Sequence, residues 1–185
     1  MGLVWNSAAV LEGQHVVCIV GPDSCGKTHI AYELSKQLMI PYFKNKGEWT
    51  NFRNEQGYFV NCMKYGDLGM FSQFLVQTHT SVVLDRSWPC EKVYSKVFGR
   101  ETDHDVLKQL DDVYHGMNAL IVIAYRSDYS NVTDELFSDI ITHRKLKQLH
   151  DEYMEFAKWT KCRTLFLNVD DEDLDREVKE ILVAL

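Results

Sequence analysis

The chain has 185 residues and a formal net charge of −7, and 45% of its residues are hydrophobic. The length suits one domain, and the acidic balance weighs against a protein whose main task is to grip a nucleic-acid backbone, since that needs clustered Lys and Arg. No apolar run approaches the ~20 residues that span a membrane, and the first residues lack the pattern of a signal peptide. The five cysteines share no metal-ligand spacing, which favours reduced thiols over a zinc site. We therefore expect a cytoplasmic protein with no membrane partner.

The most informative stretch runs from Gly21 to Thr28 and reads GPDSCGKT, which matches the phosphate-binding pattern G-x-x-x-x-G-K-[ST] at every fixed position. A β-rich apolar run precedes it, and apolar residues at helical spacing follow it. Backbone N–H groups between the two glycines can converge on phosphate oxygens at the helix N-terminus. We expect ATP as the ligand, with Lys27 neutralising the β- and γ-phosphates and the Thr28 hydroxyl binding Mg²⁺. The predicted ATP-binding residues are Gly21, Asp23, Ser24, Cys25, Gly26, Lys27 and Thr28.

Other elements are predicted from hydrophobic periodicity and capping residues. Strands are predicted at 15–20, 41–44, 81–85, 119–124 and 164–169. Helices are predicted from the loop to about 39, at 67–78, 89–98, 103–116 and 139–160, and beyond 171. Thr102 is the predicted N-cap of the helix that ends at Gly116, and Asp170 or Asp171 that of the last helix. Residues 45–66 are rich in aromatics and form either a ligand wall or ordinary packing.

Apolar strands that alternate with helices predict an α/β protein with a parallel sheet, and the phosphate-binding motif at its first strand–helix junction indicates the P-loop NTPase fold. In this fold a five-stranded parallel sheet carries helices on both faces, as a three-layer α/β/α arrangement. The domain is expected to span residues 15–185, with residues 1–14 as an N-terminal extension and a lid at about 126–147. Ligands of such sheets bind at the carboxyl ends of the strands, so the polar residues found there are the site candidates.

Asp85 and Arg86 directly follow the third predicted strand. Asp85 can hold Mg²⁺ or accept the proton of an acceptor hydroxyl, and Arg86 can bind acceptor oxygens or the transferring phosphoryl group. The structural alternative is a surface ion pair worth ~0–1 kcal/mol. Because the doublet follows a buried strand that opens onto the same crevice as the loop, we favour the functional interpretation.

Two basic clusters are further candidates. Lys92, Lys96 and Arg100 share one helical face, which either borders an anionic acceptor or is a solvated cationic surface. Arg144 belongs to a basic cluster at 143–147, which either closes over the transferring phosphate as part of a lid or is the basic flank of a helix.

The loop pattern, joined to VLDRS at 83–87 and followed by Glu91-x-Val93-Tyr94, resembles the thymidylate kinase and deoxynucleoside kinase group of P-loop kinases. The stretch DRSWPCE at 85–91 is similar to the small thymidylate-kinase-like proteins of phages. The resemblance implies that Asp23 approaches the acceptor sugar and phosphate, which favours a monophosphate acceptor. Asp-Arg-Ser is also similar to the Glu-Arg-Ser of nucleoside kinases.

This sequence departs from the family pattern at three places. Ser24 replaces the usual Gly, Cys25 replaces Ser or Ala, and Lys44 stands roughly where an Arg-Glu-Pro-Gly motif is expected. The last departure leaves thymidine specificity open, although Lys44 is a candidate phosphate contact. The acceptor-binding residues expected overall are Asp23, Lys44, Phe71, Arg86 and Arg100. Tyr42, Phe71 and Phe74 are candidates for stacking on the acceptor base, and the alternative is that these aromatics pack in the core.

The leading hypothesis is transfer of the ATP γ-phosphoryl group to a small acceptor, either a deoxynucleoside monophosphate or a deoxynucleoside. The expected catalytic residues are Lys27, Asp85, Arg86 and Arg144, with Thr28 and Asp85 as metal ligands. One alternative is a phage-type kinase that phosphorylates a modified base, such as 5-hydroxymethyluracil, in DNA, which the net charge disfavours. Another is a non-enzymatic nucleotide-dependent switch. The oligomeric state stays open, a homodimer included.

Overall fold

The computed structural model describes residues 13–44, 71–132 and 142–185. Expectations that concern residues 1–12, 45–70 and 133–141 lie outside this part of the chain, among them the aromatic segment and the middle of the lid. The strands are β1 (Val16–Val20), β2 (Tyr42–Lys44), β3 (Val82–Asp85), β4 (Leu120–Tyr125) and β5 (Arg163–Asn168). The helices are α1 (Lys27–Leu38), α2 (Ser72–Thr78), α3 (Trp88–Phe98), α4 (His104–Gly116), α5 (His143–Trp159) and α6 (Leu174–Ala184).

The sheet is parallel and has the order β2-β3-β1-β4-β5. β1 lies in the middle because its five residues are all apolar and all buried, as expected of a strand covered on both faces. From β1 the chain proceeds to β2 and β3 on one side and to β4 and β5 on the other. The strand order therefore reverses at β1, and the crevice at its carboxyl end is the position where such sheets bind ligands.

The helices pack in two groups, α1 against α6, and α3 against both α4 and α5. Together they cover the two faces of the sheet, so the predicted three-layer α/β/α architecture is confirmed. In the second group, Trp88 of α3 is fully buried and its ring lies 5.5 Å from that of Phe156 in α5. Aromatic contacts of this kind fix how the two helices cross. Within the described ranges, no helix is both long and apolar enough to cross a membrane.

The N-cap of α4 is Asp103, whereas the sequence predicted Thr102. The Asp103 carboxylate accepts hydrogen bonds from the backbone N–H groups of Asp105 and Val106. Thr102 is hydrogen-bonded instead to the side chain of Glu91 on α3. Its hydroxyl is therefore committed to a tertiary contact, and the neighbouring carboxylate satisfies the helix terminus.

The N-cap of α6 also differs from the prediction, because Asp173 accepts from the N–H of Arg176. The two residues expected there serve other partners: Asp170 accepts from the N–H of Ser127, and Asp171 pairs with the Arg176 guanidinium. In an acidic run, several side chains can cap a helix, and the tertiary partners decide which one does.

Helix α5 begins later than predicted. The Thr142 hydroxyl accepts from the N–H of Lys145, which places the first helical residue at His143. The predicted start at 139 falls among residues outside the described ranges. Near the start of the described residues, the side-chain amide of Gln14 donates to the carbonyls of Leu75 and Thr80 at 2.8 and 3.0 Å. Gln14 is therefore hydrogen-bonded to α2 and to the segment that follows it.

Gly21 provides a test of how closely β1 and β4 approach at the site. It has a φ of 143°, and an added Cβ would lie 2.1 Å from the carbonyl oxygen of Ala124 in β4. We expect Gly21→Ala to lower the free energy of unfolding by about 3 kcal/mol or more, since it combines backbone strain with overpacking. Gly116→Ala is the matched control, because space is open there and alanine favours the helix by up to about 1 kcal/mol. Urea denaturation measures both, and equal midpoints would contradict the close approach.

Candidate active site

The loop between β1 and α1 lies at the centre of the carboxyl edge of the sheet, as expected from the motif. Ser24 and Gly26 adopt left-handed conformations with φ values of 63° and 62°. Gly26 is the N-cap of α1, and it has no side chain that could accept from the first-turn N–H groups. These N–H groups and the positive end of the helix dipole are therefore directed at the crevice, where a phosphate can accept from them.

Lys27 lies inside this loop, with only 5% of its surface exposed. Its ammonium donates to the carbonyl oxygen of Pro22. Burial, and secondarily the cation of Arg86, lower the pKa of Lys27. Among the described residues its hydrogen-bond acceptor is this neutral carbonyl, and the charge of the nearby Asp23 carboxylate only partly offsets the effect of burial. An anionic phosphate in the loop would therefore stabilise this charge, which fits the role that the sequence assigned to Lys27.

Asp85, the last residue of β3, is the most buried carboxylate near the loop, with 0% exposure. Its Oδ2 accepts from the Thr28 hydroxyl at 2.7 Å and from the Tyr42 hydroxyl at 3.0 Å, and it lies 3.4 Å from Lys44 Nζ. Its Oδ1 is buried and finds no hydrogen-bond partner among the described residues. A carboxylate with an unused buried oxygen beside a threonine hydroxyl is a donor set that suits Mg²⁺ and its water ligands. The two residues predicted as metal ligands are therefore in contact.

Tyr42 is a site residue whose contact with Asp85 the sequence did not predict. Burial and the hydrogen bond to Asp85 raise the pKa of Tyr42, so its phenol stays protonated and donates to the carboxylate. The one available signal was topological, because a strand that pairs with β3 in parallel brings its end to the same edge. The pairing of β2 with β3 indeed sets Lys44 opposite Asp85 and Tyr42 two residues before it.

Arg86 and Asp23 connect the doublet after β3 to the phosphate-binding loop. Arg86 Nη2 donates to Asp23 Oδ1 at 2.8 Å, and the Tyr94 hydroxyl donates to Asp23 Oδ2 at 2.9 Å. Arg86 has a φ of 67°, and its N–H is bonded to the carbonyl of Ile19 in β1. A left-handed backbone conformation at an arginine raises the free energy of the folded state by about 1 kcal/mol or more, and such strain is found most often at functional sites. The loop and the doublet therefore face one crevice, as expected from the sequence.

Arg126, the first residue of the predicted lid, contacts the loop from the other side. Its Nε donates to the carbonyl of Ser24 at 3.0 Å, and its Nη2 pairs with Glu172 at 2.6 Å. The Tyr129 hydroxyl accepts from the Arg126 N–H at 3.1 Å and lies 3.9 Å from Cys25 Sγ. The rule that identified Asp85 also applied here, because Arg126 directly follows β4, the other neighbour of β1.

Three other predicted residues have no contact with the loop among the hydrogen bonds and ring contacts of the described residues. Phe71 stacks on Phe43, with ring centroids 4.7 Å apart. Arg144 is exposed in the first turn of α5. Arg100 pairs with Glu91 at 2.7 Å. It also lines a groove of about 680 Å³ between α3 and α5, whose other lining residues include Lys92, Lys96 and Trp159 but none from the loop. The acceptor and catalytic roles of Phe71, Arg100 and Arg144 stay predictions.

Comparison with known proteins shows the fold. No protein-family model matches the chain, and no curated protein sequence matches it either. Among solved structures, the YorR protein of Bacillus subtilis, in complex with phosphorylated GDP, is 21% identical with a TM-score of 0.65, over 91% of this chain and 94% of that one. The thymidylate kinase of Ehrlichia chaffeensis is 15% identical with a TM-score of 0.64, over 93% and 98%.

The deoxyadenosine kinase of M. mycoides is a further solved structure with this fold. It is 20% identical with a TM-score of 0.52, over 91% of this chain and 97% of that one. The chain therefore has the fold shared by P-loop nucleotide and deoxynucleoside kinases. The resemblance found in the sequence is confirmed at the level of the fold, and the likeness to phage proteins stays a prediction.

Glu91 on α3 allows a test of the electrostatics next to the site. Burial raises its pKa to about 7, against the opposing effect of Arg100. The folded protein thus keeps a proton on Glu91 up to about pH 7, whereas the unfolded chain loses it near the ordinary value. Unfolding releases this proton between about pH 4.5 and 7, so the free energy of unfolding falls as the pH rises.

We expect Glu91→Gln to remove this part of the pH dependence, because glutamine keeps an accepting oxygen without the charge. Between pH 5 and pH 8, the wild type should lose about 2 kcal/mol more than the variant. Urea denaturation at the two pH values measures the difference. Glu155→Gln on the exposed face of α5 is the matched control, and an identical pH dependence in the wild type and Glu91→Gln would contradict the assignment.

Proposed function

We propose that the protein is an ATP-dependent kinase that transfers the γ-phosphoryl group to a deoxynucleoside monophosphate or a deoxynucleoside. The observation that supports this most directly is the contact between the phosphate-binding loop and the Asp85-Arg86 doublet. Thr28 and Asp85 lie 2.7 Å apart, and Asp23 and Arg86 lie 2.8 Å apart. Donor groups and acceptor groups thus share one crevice, which is the arrangement that direct phosphoryl transfer needs.

Residues at different positions in the site have different roles in the proposed reaction. The N–H groups of the loop and the Lys27 ammonium bind the β- and γ-phosphates and neutralise charge that spreads over the oxygens during transfer. Thr28 and Asp85 would hold Mg²⁺, which would withdraw charge from the phosphate oxygens. Arg86, oriented by Asp23, presents a guanidinium fork that can bind acceptor oxygens in two parallel hydrogen bonds.

The phosphorylation level of the acceptor is the finer part of the proposal. Asp23 in the loop favours a monophosphate acceptor by resemblance to thymidylate kinases. The structural neighbours include both a thymidylate kinase and a deoxyadenosine kinase, the latter solved with the products dCMP and dCDP. Both levels are therefore included in the proposal, and the net charge of −7 makes DNA a less favourable acceptor.

A coupled assay of ADP release in the presence of ATP and Mg²⁺ tests the proposal directly. The acceptor panel consists of the four common deoxynucleosides, their 5′-monophosphates, GMP, and DNA oligonucleotides with and without 5-hydroxymethyluracil. We expect turnover with at least one deoxynucleoside or deoxynucleoside monophosphate. Turnover with the oligonucleotides alone would overturn the proposal in favour of a DNA kinase. ATP binding without acceptor-dependent ADP release would favour a nucleotide-dependent switch.

Lys27→Ala should abolish transfer, because it removes the cation that the loop holds for the phosphates. We expect kcat to fall at least about 100-fold, as for the loss of one preorganised electrostatic group. The matched control is Lys36→Ala on the same helix, where the exposed lysine pairs with Glu33 and has no hydrogen bond or ion pair to a site residue within the described ranges. Near-normal turnover of a folded Lys27→Ala protein, checked by its melting temperature, would show that the loop is not catalytic.

Arg86→Lys should weaken the acceptor site and spare the ATP site. Lysine keeps the charge that pairs with Asp23 and holds the loop, but it loses the planar fork. We therefore expect kcat/KM for the acceptor to fall about 10- to 100-fold, with the KM for ATP within about twofold of the wild type. Tyr94→Phe is the control, since it removes one hydrogen bond to Asp23 and leaves the Arg86 pair intact. A larger rise in the KM for ATP than in the KM for the acceptor would place Arg86 in the donor site.

A further inference from the structure

Lys44 occupies an unusual position for a candidate acceptor residue. It is the last residue of β2, and its Nζ lies 2.9 Å from Thr28 Oγ1 and 3.4 Å from Asp85 Oδ2. These are the two oxygens that the proposed function assigns to the metal. The lysine therefore contacts both metal ligands at once, and its side chain is 37% exposed while that of Asp85 is fully buried.

The buried charge of Asp85 explains why a cation is held at this point. An ionised carboxylate away from water is costly unless it is paired and hydrogen-bonded. Thr28 and Tyr42 supply neutral hydrogen bonds, and in the part of the chain that the structure describes the ion pair of Asp85 is made by Lys44. The lysine ammonium thus provides the positive charge that balances the site.

A metal ion and this ammonium compete for the same space. Mg²⁺ binds oxygens at 2.0–2.1 Å and in octahedral geometry, with room for its water ligands. An ammonium in contact with both Thr28 and Asp85 fills that space, and the two cations repel each other. Entry of the metal therefore requires the Lys44 side chain to move, which its flexible four-carbon stem and partial exposure allow.

We propose that Lys44 is an internal counter-ion that occupies the metal position of the nucleotide-free protein and yields it to Mg²⁺ when ATP binds. The proposal rests on the proposed function for the identity of the metal site. Phosphate oxygens of ATP supply both metal ligands and negative charge, which offset the displacement of the lysine. The free protein should therefore bind divalent cations weakly, and the metal should enter together with the nucleotide.

If the Lys44–Asp85 ion pair only stabilised the fold, a different result would be expected. Partly exposed pairs contribute about 0–1 kcal/mol to stability. If Lys44 had this role alone, its removal would change the melting temperature slightly and leave metal affinity unchanged. The affinity of the nucleotide-free protein for a metal ion is thus the quantity that separates the two roles.

The test uses the full chain without nucleotide and Mn²⁺ as the probe, whose free concentration is read from its electron paramagnetic resonance signal. Lys44→Met keeps most of the stem and removes the charge. We expect it to bind Mn²⁺ roughly tenfold or more tightly than the wild type, since a repelling charge within about 4 Å is gone. Adding Asp85→Asn to Lys44→Met should abolish the gain, and Mg²⁺ should compete for the site.

Lys36→Met is the matched control, because this lysine on α1 also forms an ion pair but lies on the exposed face. Equal affinities of wild type and Lys44→Met, including no binding by either, would overturn the proposal, as would a gain that persists with Asp85→Asn. The readout needs no turnover. A gain in Mn²⁺ affinity without transfer to any acceptor would therefore contradict the proposed function and support this inference. Transfer without a gain in Mn²⁺ affinity would support the proposed function and contradict this inference.

Discussion

The buried carboxylate of Asp85 is the charge on which the rest of the site depends. It lies at the end of β3 with no exposure to solvent, and it needs donors that only neighbouring elements can bring. The first turn of α1 supplies Thr28, and the end of β2 supplies Tyr42 and Lys44. The sheet thus joins three separate chain segments around one negative charge, at the position proposed for the metal.

The phosphate-binding loop is held from both of its flanks. On the β3 side Asp23 is bonded to Arg86 and Tyr94, and on the β4 side the carbonyl of Ser24 is bonded to Arg126. Because β3 and β4 are the two neighbours of β1, each bond ties the loop to a different half of the sheet. Such bracing preorganises the N–H groups of the loop, so phosphate binding does not have to order them first.

The charges of the site lie in a series from the proposed ATP position to the proposed acceptor position. Lys27 is buried within the loop, Asp85 and Thr28 form the proposed metal position, and the Arg86 guanidinium is paired with Asp23. Each group sits at a strand end or a helix start, where backbone geometry is set by the sheet rather than by the loop alone. An acidic chain with a net charge of −7 can therefore still present the local positive charge that the proposed ATP site requires.

The sequence by itself determined the kinds and order of the elements, the parallel sheet, the phosphate-binding loop and the candidacy of Asp85 and Arg86. Hydrophobic periodicity and a contiguous motif are local properties, readable over about ten residues. The tertiary structure decided the partners: Tyr42 on Asp85, Arg126 on the loop, and Asp103 rather than Thr102 as a cap. These contacts join residues up to 102 positions apart, and the choice among several capable side chains depends on which one the packed sheet and helices bring within hydrogen-bond distance.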